Sequence, residues 1–112
     1  MTVFVKVLVP AKTVENAQTT QYTSSNVTTI IDKFTATNFN TASATISVNL
    51  VTSTGAAGNS NLITKTKTLQ PSEVYTFPEL VGQVLNLGDF ISTIAGTATA
   101  INMRVSGREV TQ

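Results

Sequence analysis

The chain has 112 residues, a formal net charge of +1, and neither histidine nor cysteine. That length fits one domain of the common size of about 100–150 residues, and the missing residues exclude Ser-His-Asp and Cys-His catalytic arrangements within one chain, thiolate zinc sites and disulfides. Charged residues make up only 12% of the chain and the nearest approach to a basic cluster is Lys65 with Lys67, so no patch exists to neutralise a nucleic-acid backbone.

Thr2 to Val9 (TVFVKVLV) predicts a strand with Val3, Val5, Val7 and Val9 on one face and Phe4, Lys6 and Leu8 on the other. Both faces are largely apolar, so the strand must be covered on two sides, as a central strand of its own domain or as an arm laid on a neighbouring subunit. The run is interrupted by Lys6, followed by Pro10, and far too short to span a membrane. No membrane partner is expected, and synthesis in the cytoplasm is. Ala11 to Ala17 reads as a loop, so residues 1–17 form an N-terminal arm and linker ahead of a β-sandwich domain over 18–112.

Gln18 to Thr23 predicts a short polar strand and Ser24-Ser25-Asn26 a turn. Val27 to Phe39 predicts a long strand, with Ile30, Phe34 and Ala36 on one face, Ile31, Thr35 and Thr37 on the other, and Asp32 at a rim or bonded to a loop. Ala44 to Val51 is the cleanest alternation, with Ala44, Ile46, Val48 and Leu50 facing in and Thr45, Ser47 and Asn49 facing out. Thr52 to Asn61, small residues with two glycines, is the longest and most flexible loop, and it lacks the Lys-Ser/Thr ending of a phosphate-binding loop.

Leu62 to Leu69 predicts an edge strand guarded by Lys65 and Lys67 on one side, with Thr64, Thr66 and Thr68 on the other. The stretch Leu69 to Ile94 organises the rest: a turn at Gln70 to Glu73, a short strand Val74 to Phe77, an irregular excursion Pro78 to Val81, a turn at Gly88-Asp89 and a strand Phe90 to Ile94. Thr99 to Ser106 turns Ile101, Met103 and Val105 inward, and Gly107 permits a bulge or bend before Arg108 to Thr111.

About eight short strands with no convincing helix predict an all-β, antiparallel β-sandwich, jelly-roll or immunoglobulin-like in its connections. The six acids, scattered over separate loops and strands, form no paired or calcium-binding spacing. No catalytic residue, metal or other cofactor is therefore expected.

The pattern I-I-x-x-F with a following Asn (Ile30, Ile31, Phe34, Asn38), then S-N-L-I (Ser60 to Ile63), continues as P-x-E-x-Y-x-x-P-E-L-x-G-x-x-L-x-x-G-D-x-I from Pro71 to Ile91. A last strand carries R-x-S-G-x-E from Arg104 to Glu109. Over about residues 20 to 112 this resembles small all-β virion proteins of tailed bacteriophages and prophages. The resemblance implies a structural virion protein and no enzyme, most plainly a capsid decoration or cement protein that bridges capsomers. It also implies a homo-oligomer, often a trimer, bound to the major capsid protein or another virion protein. Val3, Phe4, Val5, Val7, Leu8 and Val9 are then the candidate oligomer or capsid contacts. A tail, fibre or head-tail accessory module is the alternative, binding a host surface or another virion protein through Thr54, Gly55, Gly58 and Asn59.

Overall fold

The computed structural model describes residues 1–111 and holds two antiparallel sheets packed face to face. Its strands are β1 (Thr2–Thr13), β2 (Thr19–Thr23), β3 (Thr28–Asn38), β4 (Ala44–Val51), β5 (Leu62–Leu69), β6 (Val74–Tyr75), β7 (Val84–Leu85), β8 (Phe90–Ala95) and β9 (Ile101–Thr111). One sheet runs β1-β9-β3-β6, with β7 also pairing β3; the other runs β2-β8-β4-β5.

The pairing is that of a long hairpin folded at the β4–β5 loop and then rolled. β4 meets β5, β3 meets β6 and β7, β2 meets β8, and β1 meets β9, all antiparallel. With β6 and β7 taken as one interrupted strand, this is the jelly-roll order, which settles the connection left open between jelly-roll and immunoglobulin-like. The sandwich is long and thin, 46 × 26 × 20 Å, as expected of strands up to 12 residues long packed about 10 Å apart.

The core lies between the sheets and centres on Phe34, Phe77, Ile31, Ile46, Leu80, Leu85, Ile91 and Met103. Phe77 packs on Phe34 and Tyr75 at centroid distances of 4.5 and 4.6 Å. The organising stretch thus supplies the plug of the core, and it does so with irregular backbone. Regular strand stops at Tyr75, and Phe77 takes a left-handed φ of 44° to drop its ring inward.

Bulges explain where simple alternation fails. Asp32 is an extra residue in β3 between Ile31 and Lys33, so Ile31, not Ile30, joins Phe34 and Ala36 in the core. Leu8 is the matching extra residue in β1 between Val7 and Val9, which leaves Val3, Val5 and Val7 outward and turns Val9 inward. Both bulges sit beside Gly107, where a Cβ would lie 2.1 Å from the Ile30 carbonyl oxygen and 3.0 Å from Leu8 Cδ1. β9 itself continues through Gly107 to Thr111, so the glycine accommodates its neighbours' bulges rather than ending its own strand.

In β4 the residues read as outward, Ser47 and Asn49, are buried beneath polar neighbours, while Leu50 is only half-buried. Ser47 accepts a hydrogen bond from the Thr66 amide and Asn49 reaches the β4–β5 loop. In β5 a left-handed Thr66 (φ 43°) breaks the alternation. Lys65 stays on the outer face, and Lys67 instead stands 4.8 Å over the Tyr75 ring. Ala11 to Thr13, read as loop, continue β1, and Val14 is fully buried beyond them.

Candidate assembly surface

β1 is hydrogen-bonded to β9 along its length and forms one outer edge of its sheet. Leu8 and Val9 are core residues, 7% and 2% exposed. The four candidates before them are not: Val3, Phe4, Val5 and Val7 all lie open, with Phe4 at 51% and Val5 at 87%. Residues 2–7 therefore belong to the sheet by backbone pairing while leaving apolar side chains uncovered on both faces.

The sheet register spreads this exposure. Val5, Arg108, Ile30 and Val84 form one row across β1, β9, β3 and β7, and Val3, Val110 and Thr28 form the next. These side chains lie on the outer face, because the intervening row carries the buried Thr29 and Leu85. The patch has one ion pair, Arg108 with Asp32 at 2.9 Å, and both partners are exposed. Farther along, the same face turns polar at Lys33, Thr35 and Arg104.

On the inner side of this end, Tyr22 donates to Glu109 and shares a hydrogen bond with Thr29, which in turn meets the buried Ser24. The hydrogen bond from Tyr22 holds the Glu109 carboxyl below the usual carboxylate range against the opposing pull of burial, and Lys6 at 3.2 Å adds to it. Burial, followed by the bond to Glu109, pushes the Tyr22 phenol up to about 12. This polar knot joins β1, β2, β3 and β9, and it neutralises the single charge of segment 2–7.

A second knot fastens the opposite edge. Glu79 accepts hydrogen bonds from Thr64 on β5 and Tyr75 on β6. Burial pushes its carboxyl up, but those two bonds and the nearby Lys67 outweigh burial and leave it below its ordinary value, while the bond to Glu79 raises Tyr75 to about 12. Glu79 had no recognisable role in the sequence; only the P-E-L pattern singled it out.

The loop candidates Thr54, Gly55, Gly58 and Asn59 are exposed. The loop is more closely bonded than its composition implies. Asn61 Oδ1 accepts from Asn49 Nδ2 and the Gly58 amide, its Nδ2 donates to the Ala56 carbonyl, and Asn49 Nδ2 also donates to the Gly58 carbonyl. Asp89 accepts from the Ser53 amide, and the Ser24 amide donates to the Asp89 carbonyl. Because β3 begins just after Ser24 and pairs with Val110 opposite Val3, loop and open edge share one end of the sandwich, on different sheets.

A shallow depression of about 180 Å³ lies on the outer face of the second sheet, lined by Gln18, Ser47, Asn49, Lys65 and Ile94 among others. A larger one of about 310 Å³, over Lys33, Thr35, Arg104 and Ser106 on the first sheet, only just reaches the roughly 300 Å³ at which small-molecule pockets usually begin, and the first falls below it. No family model, curated protein or solved structure matches the chain.

Proposed function

We propose that the chain is a structural subunit of a tailed-bacteriophage virion, a capsid decoration or cement protein that bridges capsomers, and that it carries out no catalysis. The observation that carries this reading is the open segment 2–7, apolar on both faces and continuous with the outer patch of Val110, Ile30 and Val84. Contiguous apolar surface on a small domain marks a contact with another macromolecule. The low charge of the chain supports the same reading, because Thr, Ser and Asn surfaces cost less to desolvate than Lys and Glu. The motif running from Ile30 to Glu109 supports the placement in a virion, and a jelly-roll is an architecture that viral shells use among many others.

Its mechanism is mechanical: copies bound across capsomer boundaries add many modest contacts that oppose internal pressure. The test is particle stability. Particles of the encoding phage assembled without the chain should rupture at lower temperature than complete ones, and added protein should restore them. Equal rupture temperatures with and without it would refute the cement role.

The closely bonded 52–61 loop favours one further reading, a tail or fibre module that meets a host surface through Thr54, Gly55, Gly58 and Asn59. Binding to host cells that weakens when the loop is shortened would select it.

A further inference from the structure

A jelly-roll has sheet edges, and this chain guards all but one of them. β5 carries Lys65 and a left-handed bulge at Thr66. β2 is five residues of mostly polar character with its own bulge. The edge opposite β1 is reduced to the two-residue strands β6 and β7. Even β1 is guarded in its second half by two register shifts and by Pro10, which has no amide to donate. These are the devices by which sheet proteins avoid pairing with strangers.

Residues 2–7 have none of the backbone devices. Over six consecutive positions the register with β9 is unbroken, there is no proline, and the one charge, Lys6, is spent on Glu109 of its own chain. The opposite side of this strand is a free ladder edge.

We propose that this edge pairs with the same edge of a second copy, antiparallel about a two-fold axis at Val5. The occupant is another copy because the segment is complementary to itself. A two-fold axis perpendicular to the sheet sets Val5 opposite Val5, Val3 opposite Val7, and Phe4 opposite Lys6 of the partner subunit. No like charges then face each other, which cross-strand pairing requires. An axis at Lys6 would place lysine against lysine. A closed trimer built by strand addition needs β1 to meet a different edge of its neighbour, and the other edges are guarded or too short. The edges thus favour pairs over the trimer that the resemblance implies.

Six residues a side make a small interface, below the standard size of about 1,600 Å². The pair is therefore concentration-dependent in solution. The inference shares with the proposed function the reading of segment 2–7 as a contact surface, but it needs no virion.

The test uses charge exchange at the axis. Val5 is the most exposed apolar residue of segment 2–7, so Val5→Lys and Val5→Glu leave the core untouched. Wild type, measured by light scattering over a concentration series, should approach twice the 11.8 kDa of one chain. Each variant alone should remain monomeric, since like charges then face each other across the axis, and an equimolar mixture of the two should pair again. Because the chain has no cysteine, Val5→Cys supplies a second reading. Mild oxidation should give a covalent dimer, and Thr54→Cys should not.

A wild-type monomer throughout, a trimer, or variants that pair as well as wild type would each overturn the two-fold edge. Capsid binding, measured on the same preparations, separates the two claims. Binding without pairing refutes the edge and keeps the cement role; pairing without binding does the reverse.

Discussion

Gly107 is the residue on which the crossing of β1, β9 and β3 depends. Any Cβ there meets the Ile30 carbonyl at 2.1 Å, and that backbone atom is held by the sheet, so relief requires the strands to part. Gly107→Ala should cost about 3 kcal/mol, the upper part of the ordinary range for overpacking, read as a lower midpoint in urea unfolding. An unchanged midpoint would mean that the bulges can open at no cost. The sequence flagged this glycine, but for the wrong strand: a glycine in a period-two run signals a close approach without saying which neighbour bulges. The pair Ile30 and Ile31 shows the same limit, since two adjacent isoleucines fit either face until the extra Asp32 is located.

The carboxylates give a second prediction at this scale. Glu79 and Glu109 sit below their ordinary value when folded, so the stability they contribute is complete above about pH 4.5 and disappears as pH falls through their lower folded values. Tyr22 and Tyr75 are raised, so theirs is complete below about pH 10 and lost on the way to about 12. Thermal unfolding should therefore show a plateau with an acid and an alkaline shoulder. Glu79→Gln should reduce both shoulders, because it removes the partner of Tyr75; shoulders of unchanged size would show that the Glu79 knot contributes nothing.

Among the elements, β1 divides into two parts with different duties. Leu8, Val9 and the buried Val14 beyond the strand belong to the core, whereas residues 1–6 touch little but β9. Removing residues 1–6 should leave a folded chain with near-native circular dichroism that no longer self-associates. Removing 1–10 should unfold it. A shorter variant that still pairs would locate the contact elsewhere.

The β4–β5 loop is the other informative element. Its glycines and serines read as flexible, but the Asn49 and Asn61 side chains bond to each other and to three backbone groups, the Gly58 amide and carbonyl and the Ala56 carbonyl. Composition conceals such side-chain networks, because the partner Asn49 is twelve residues away and lies on a strand. Asn61→Ala should expose the loop to protease while leaving the free energy of unfolding within about 1 kcal/mol of wild type. Equal cleavage rates would show that those bonds do not order the loop.

For the molecule as a whole, the periodicities were enough for the all-β class and the two-sheet sandwich, because Ala44 to Leu50 and Ile101 to Val105 alternate apolar and polar residues in the sequence. Strand order was not legible, since it depends on which strands meet across long separations, as β1 and β9 do. The candidate surface was half legible. A strand apolar on both faces needs covering on both sides, and the folded chain covers only Leu8 and Val9. The uncovered remainder, Val3 to Val7, is the surface on which the proposed assembly role rests.

The proposed cement role calls first for sedimenting the protein with empty shells of the phage proposed to encode it and measuring bound copies per capsomer, beside Val5→Lys. Wild type should bind saturably at a fixed ratio, and the variant should lose at least tenfold in affinity, about 1.4 kcal/mol. No binding by wild type, or equal binding by both, would contradict it.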